Sequence, residues 1–377
     1  MKRTIGSLLV CAILALSCLA QTARAEEKKE TAEKPLIQMA ILLDTSGSMS
    51  GLINQARTEL WKVVNEFATT KKNGQIPRLE VALYEYGHSP LGGNQIRKIL
   101  SLTTDLDKVS EKLFALTTSG GNEYCGMVIK KATDELKWSQ SNGDLKVVFI
   151  AGNEPFTQGP VDYKAACKAA ISKGIIVNTI HCGSEQAGIS GKWKDGAVLA
   201  DGSYMCINQN RTVAHIKAPQ DKKIAKLGDK LNDTYIPYGA KGKLAAERQR
   251  KQDTNAKKAA PAANVQRMVT KANAQYVNTS WDLVDALKND KIKLEEIDEK
   301  SLPEKMQKMT LKERKAHIEE NTRRRAEIRK KINELNAARK KYVAEKRKEM
   351  GKSGDDTLGE AMSSALQEQA AKKGFKN

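Results

Sequence analysis

Strand-like and helix-like segments alternate along more than half of this chain, and that order restricts the folds open to it. Short apolar runs are separated by longer stretches with helical periodicity. Near-continuous apolar runs are expected of strands covered on both faces. The alternation therefore predicts an α/β fold, with a doubly wound, mostly parallel sheet, over residues 35–238. The main predicted strands are Leu36–Leu43, Leu79–Tyr86, Val147–Ile150, Ile175–Ile180 and Tyr204–Ile207, and the predicted helices are Leu52–Ala68, Leu106–Leu116, Gly126–Leu136, Val161–Ser172 and Lys222–Thr234.

One further strand, Gln95–Leu100, is expected to pair with Leu79–Tyr86 as a hairpin at the edge of the sheet. In doubly wound sheets, ligands bind outside the carboxyl ends of the strands, so the functional site is expected there. Trp193 stands in a glycine-rich loop after the fifth strand. It either recognises a ligand or packs this loop onto the sheet.

The composition changes after the breaker-rich segment 237–242. Residues 239–350 are rich in Lys, Arg, Ala and Gln and predict a helical, basic extension with coiled-coil-like character. Apolar faces recur at helical spacing, and capping-box patterns begin at Ser301 and Thr310. We expect the extension to dock partly on the α/β region and to bury Trp281 in that contact. The tail, residues 351–377, is expected to be flexible with one weak helix.

A long helix over residues 311–342 carries apolar side chains near heptad spacing, but Arg325 and Arg339 interrupt the seam. Residues 305–350 hold 17 Lys and Arg against 7 acids, which accounts for much of the net charge of +19. This helix is either solvated and laced with salt bridges or an arm that binds an anionic membrane surface, acidic protein or glycan. Export makes nucleic acid an unlikely partner.

The N-terminus has the layout of a secretory signal peptide over residues 1–25. Lys2 and Arg3 precede an apolar run, and Ala23 and Ala25 provide a small-residue cleavage site. Residues 26–34 predict a charged, disordered linker. The protein is therefore expected to be periplasmic or extracellular, or alternatively a lipoprotein anchored at Cys18, with no transmembrane segment in the mature chain.

Four cysteines remain after the predicted cleavage site. Their spacing fits neither zinc ligation nor a redox CxxC motif. In an oxidising compartment they form either one or two disulfides or buried thiols. The candidates are Cys125, Cys167, Cys182 and Cys206.

Asp44, Ser46 and Ser48 directly follow the first predicted strand. A carboxylate and two hydroxyls at alternating positions direct hard oxygen ligands at one divalent cation, and Mg²⁺, Mn²⁺ and Ca²⁺ all prefer such ligands. The alternative is that these oxygens cap the following helix.

The segment from Ile41 to Met49 resembles the first loop of the metal-ion-dependent adhesion site in von Willebrand factor type A domains, and the element order of residues 35–238 resembles that family. The resemblance implies a protein- or ligand-binding module whose metal contacts Asp44, Ser46 and Ser48. Two other family positions differ. Glu123 replaces the threonine of the second loop, and Gly152 replaces the aspartate of the third loop. Glu123 and Glu154 are the candidate replacement ligands.

The motifs searched for give no support to catalysis. The four histidines lie outside nucleophile motifs, and no GxSxG, P-loop or HExxH pattern occurs. We therefore expect an exported binding module with a degenerate metal site, acting on a protein partner in the cell envelope, and not an enzyme. The alternative is a structural protein with a dead metal site that binds anionic partners through its basic helices.

Overall fold

The computed structural model describes residues 34–67, 70–93, 95–211, 215–350 and 357–376. The predicted signal peptide, the alternative lipid anchor at Cys18 and nearly all of the predicted linker lie outside these residues. From Pro35 onward the chain forms one compact unit. No helix within the described ranges is long and apolar enough to cross a membrane.

A six-stranded sheet forms the centre of this unit, with the strand order β3-β2-β1-β4-β5-β6. Neighbouring strands are parallel except β3, which runs antiparallel to β2 at the edge. The doubly wound α/β fold and its edge hairpin are therefore confirmed. The strands are β1 Leu36–Asp44, β2 Arg78–Tyr86, β3 Ile96–Thr103, β4 Leu145–Gly152, β5 Ile176–Cys182 and β6 Tyr204–Ile207.

Helices cover both faces of the sheet, which is why every residue of β1 is buried. Alternate β1 side chains enter two separate apolar clusters, as the two-residue repeat of a strand requires. The helices of the α/β region are α1 Ser50–Asn65, α2 Leu106–Ala115, α3 Cys125–Glu135, α4 Tyr163–Ser172, α5 Glu185–Ser190, α6 Trp193–Val198 and α7 Asp221–Asn232.

Trp193 corrects one detail of the prediction, because it begins helix α6 and does not lie in a loop. Its side chain is buried, and its indole Nε1 donates to the Glu154 carbonyl over 2.9 Å. Of the two roles considered for this tryptophan, packing against the sheet is the one confirmed.

The described residues after 238 are largely helical and pack on the α/β region. Trp281 is buried, with its ring 5.6 Å from that of Tyr235, as expected. Thr310 forms a full capping box with Glu313, whereas the box predicted at Ser301 is wrong because Pro303 occupies the N-cap. The helices are α8 Gly242–Ala259, α9 Pro261–Ala272, α10 Leu283–Lys288, α11 Glu304–Gln307, α12 Leu311–Glu349 and α13 Leu358–Lys372.

The last helix, α13, is part of the fold. Leu366 is fully buried, and the Leu358 amide donates to Gln55 of α1 over 2.8 Å. The side chains of Gln369 and Asn178 exchange hydrogen bonds of 2.6 and 3.0 Å beneath β5. The prediction of a flexible tail is therefore wrong for residues 357–376, because this helix covers an apolar face that the sheet would otherwise expose.

The four candidate cysteines, which lie within the described residues, are free thiols, and no disulfide joins them. Cys206 pairs in register with His181, so it points to the opposite face of the sheet from Cys182. Cys125 and Cys167 lie in the apolar cluster beneath α3 and α4. The buried-thiol alternative therefore describes Cys125, Cys167 and Cys182, while Cys206 is partly exposed.

Candidate functional site

The candidate site begins where β1 ends at the carboxyl edge of the sheet. Asp44 is the last residue of β1, and its Oδ1 accepts the Ser46 backbone N–H over 2.7 Å. A short 3-10 turn, Gly47–Met49, then leads into α1. Neither this turn nor α1 has a side-chain cap, so the alternative that these oxygens cap the helix is wrong.

Two oxygen atoms of this loop lack the partners that buried polar atoms normally have. Asp44 Oδ2 and Ser46 Oγ are buried, and neither makes a hydrogen bond of ordinary geometry. Burial raises the pKa of Asp44 to about 7; the Ser46 groups oppose the rise, and the charge of Glu123 adds to it. A buried carboxylate with an oxygen that makes no hydrogen bond of ordinary geometry is therefore present at the position where a cation is expected.

Glu123, the candidate ligand of the second loop, lies beside Asp44. A Cβ placed on Gly87 would meet Asp44 Oδ1 at 2.9 Å and Glu123 Cγ at 3.0 Å, so both side chains close over this glycine. Burial raises the pKa of Glu123, the charge of Glu154 raises it further, and the Ser46 hydroxyl lowers it. Ser46 thus influences both carboxyl groups, which places its hydroxyl close to each of them.

The third loop explains why Gly152 replaces an aspartate. A Cβ at this position would lie 2.4 Å from Tyr86 Oη and 3.0 Å from Asp44 Oδ2. The Tyr86 hydroxyl is held there by donating to the Ala151 carbonyl over 2.9 Å. Tyr86 therefore occupies the space that a carboxylate at residue 152 would need.

Sequence reasoning missed two residues here, Tyr86 and Asn153. The Asn153 backbone N–H lowers the pKa of Asp44, and its side-chain Oδ1 is buried without a hydrogen-bond partner. The sequence signal that could have pointed to this residue is its amide side chain directly after Gly152. Glu154 is partly buried, and its charge acts on Glu123.

The donor set is therefore oxygen-only and distributed over three loops. Within the described ranges, no three Asp, Glu, His or Cys side chains converge closely enough to hold a metal ion. Asp44 and Glu123 supply the carboxylates, Ser46 supplies a buried hydroxyl, and Ser48 is exposed at the rim. This chemistry fits a hard divalent cation and does not fit a soft metal.

The family model of the von Willebrand factor type A domain matches residues 38–189 of the chain. The sheet order and the Asp44 loop described above agree with this match, so residues 38–189 have the fold of a von Willebrand factor type A domain. This fold commonly mediates protein interaction or adhesion.

Solved structures show low similarity to the chain. BatB from Bacteroides thetaiotaomicron is 16% identical, with a TM-score of 0.35, and the match covers 45% of this chain and 90% of that one. The SpRpn10 VWA domain is 16% identical, with a TM-score of 0.35, over 48% of this chain and all of that one (100%). Proximal thread matrix protein 1 from the mussel byssus, with a zinc-occupied MIDAS motif, is 12% identical, with a TM-score of 0.34, over 46% and 42% of the two chains. No curated protein matches the chain.

The basic extension was the second predicted binding feature. Several α12 arginines bind acidic groups of this same chain, so their charges stabilise the fold. The pairs are Arg314 with Glu299, Arg325 with Asp282 and Asp285, Arg339 with Asp221, and Arg347 with Glu360.

Proposed function

We propose that this protein is an exported binding module whose von Willebrand factor type A domain holds a divalent cation in an altered adhesion site. Asp44, Ser46 and Glu123 are its inner ligands, and Ser48 and Glu154 add oxygens from the rim. The single observation that carries this proposal is a pair of buried oxygens, Asp44 Oδ2 and Ser46 Oγ, neither of which makes a hydrogen bond of ordinary geometry.

Electrostatic repulsion at this site favours a bound cation. Burying a carboxylate without a compensating charge is costly, and a second carboxylate at Glu123 adds repulsion. Mg²⁺, Mn²⁺ or Ca²⁺ bound here would neutralise both groups. A cation held by so few protein ligands keeps open positions, which an acidic group of a protein partner would fill.

Export to the cell envelope is part of the same proposal. The signal-peptide layout of residues 1–25 supports export, with assembly or attachment in the cell envelope as the process served. N-terminal sequencing of protein recovered outside the cytoplasm is expected to start at Glu26. A lipid-modified Cys18 would support the anchored form instead.

The metal site is tested by thermal unfolding of the mature protein and Asp44→Asn, in EDTA and with each cation at constant ionic strength and pH 8. Wild type is expected to gain about 2.7 kcal/mol at a cation concentration one hundred times Kd. Asp44→Asn keeps an oxygen to accept the Ser46 N–H but removes the buried charge. It is expected to be more stable than wild type in EDTA and to lose the gain from cations.

Asp229→Asn is the matched control, because Asp229 is exposed on α7. It is expected to respond to cations as wild type does. Equal cation responses in wild type and Asp44→Asn, or no response in wild type, would contradict a cation site at Asp44.

A further inference from the structure

A cavity of about 700 Å³ lies between the α/β region and the helical extension. The first turns of α1, the loop that follows β6 and the C-terminal end of α8 form its walls. We call it the α1–α8 cleft; Asn54, Arg57, Phe114, Arg211, Asn255 and Lys258 are among its lining residues. Its volume is in the range of ligand-binding pockets.

The cleft is basic. Arg57, Arg211 and Lys258 line it, and none of the described residues in its walls is acidic. The Arg57 guanidinium donates to the main-chain carbonyls of Leu113 and Leu116 at 3.1 and 2.6 Å. Because Arg57 binds carbonyls and has no carboxylate partner in the described part of the chain, its positive charge is not neutralised. A concave basic surface concentrates negative charge.

The other lining groups suit a peptide. Asn54 Oδ1 accepts from Arg57, and Asn255 Nδ2 donates to Gln252. The Asn54 amide nitrogen can therefore donate to a peptide backbone, and the Asn255 amide oxygen can accept from one. Phe114 adds an apolar surface, with the Arg57 guanidinium 5.8 Å from its ring centre. This mixture of cations, amides and one aromatic ring favours an acidic peptide segment over a simple ion.

The walls are fixed by hydrogen bonds before any ligand binds. Gln55 Nε2 donates to the carbonyls of Asn208, Gln209 and Arg211 at 2.8, 3.1 and 3.1 Å. Its Oε1 accepts the Leu358 amide at the start of α13. One buried glutamine therefore ties together α1, the loop after β6 and the C-terminal helix. Such preorganisation lowers the entropic cost of binding.

We propose that the α1–α8 cleft binds an acidic peptide segment of a partner protein. The cleft begins at Ser50, directly after the Asp44 loop, so one partner can reach both sites. This inference rests on the proposed function as a binding module and does not depend on the bound cation. The helical extension then has a binding role, because its α8 forms one wall.

The test is fluorescence anisotropy with fluorescein-labelled octaglutamate and the full mature protein, in EDTA. Saturable binding is expected, at least fivefold weaker for Lys258→Glu and for Asn54→Asp. Lys257→Glu is the matched control, since Lys257 is an exposed neighbour on the same helix that does not line the cleft. It is expected to change binding less than twofold.

The Asn54→Asp variant is included so that weaker peptide binding cannot be explained by misfolding. An aspartate can still accept from Arg57 Nη1, as Asn54 Oδ1 does over 3.2 Å, and a negative charge near the N-terminus of α1 favours the helix. Weaker binding without loss of thermal stability would support the cleft.

Equal losses for Lys257→Glu and Lys258→Glu, or no saturable binding to wild type, would overturn the proposal. So would binding of a short heparin oligosaccharide, with the same dependence on Lys258, when octaglutamate does not bind. If the protein binds octaglutamate but is not stabilised by cations, the proposal of a peptide-binding cleft stands and the proposal of a cation site at Asp44 is rejected.

Discussion

The sheet and the helical extension are both well buried, but their interiors differ in chemistry. Strands β1 and β4 are buried along their whole length and consist mostly of aliphatic residues. The extension adds apolar side chains such as Met268 and Val269 to the core, but it also buries charged ones. Arg267 and Lys271 are fully buried, and Arg325 is 3% exposed. The sheet is stabilised mainly by apolar burial, whereas the extension combines apolar contacts with buried, paired charges.

Arg267 joins four helices. Its guanidinium lies 2.7 Å from Asp107 of α2, 2.8 Å from Asp253 of α8 and 4.4 Å from the ring of Trp61 in α1. Burial alone would raise the pKa of Asp253, but the charges of Lys271 and Arg267 outweigh it and the pKa is lowered. Asp253 is therefore held as a carboxylate between the two cations.

Arg325 joins α12 to its neighbours in the same way. It donates to Asp282 over 2.6 Å and to Asp285 over 3.0 Å, and it also binds Thr234 at the end of the α/β region. Apolar packing tolerates small shifts of a helix, whereas bonds to a buried guanidinium have fixed directions. The buried arginines of α12 therefore fix the position of a helix whose apolar residues are few.

The largest effect is expected from Arg325→Met. Loss of the Arg325 guanidinium leaves Asp282 and Asp285 buried without a cation, which is expected to lower the free energy of unfolding by about 3–5 kcal/mol. Burial already raises the pKa of Asp282, and without Arg325 it rises further. The folded state then binds protons more readily than the unfolded state, so the penalty is expected to shrink as the pH falls from 8 to 5.

Urea unfolding of wild type and Arg325→Met at pH 5 and pH 8 measures this penalty. Arg324→Met is the matched control, because Arg324 is exposed on the same helix, and its effect is expected within about 0.5 kcal/mol. A loss below about 1 kcal/mol for Arg325→Met, or one independent of pH, would remove the contrast between the two regions.

In the sheet, Met39→Ala deletes a fully buried side chain of β1. The lost burial and the resulting cavity are expected to cost about 2–5 kcal/mol. Because no charge is removed, the cost is expected to be the same at pH 5 and pH 8. Met350→Ala makes the same change at a 53% exposed position and is expected to shift urea unfolding by at most about 0.5 kcal/mol. A strongly pH-dependent loss for Met39→Ala would show that the sheet also relies on charge.

The smallest effect tests the start of α12. Thr310→Ala removes the side-chain oxygen that accepts the Glu313 N–H and is expected to cost about 1 kcal/mol. Thr322→Ala is the control, since its exposed hydroxyl only returns to the Ile318 carbonyl within the helix. It is expected to be neutral or slightly stabilising in thermal unfolding. Equal losses for the two variants would mean that the capping box adds nothing beyond helix propensity.

The fold was more predictable than the site. Apolar periodicity located each strand within a few residues, because a strand buried on both faces must be apolar nearly throughout. Asp44 and Ser46 could be named as metal-ligand candidates from the sequence, because they come at the end of a strand, at the edge where ligands bind. The contact between Tyr86 and Gly152 was not predicted, because it joins residues of β2 and β4 that sequence spacing does not relate.

The sequence alone determined the element order, the parallel sheet, the capping box of Thr310 and the first metal-ligand candidates. These follow from local patterns, in which each residue is related to neighbours a few positions away. Tertiary packing alone decided that α13 covers the sheet, that the four candidate cysteines remain thiols and that Arg314, Arg325 and Arg339 of α12 are buried. A charged side chain is buried only when a distant partner neutralises it, and the identity of that partner depends on how the elements pack.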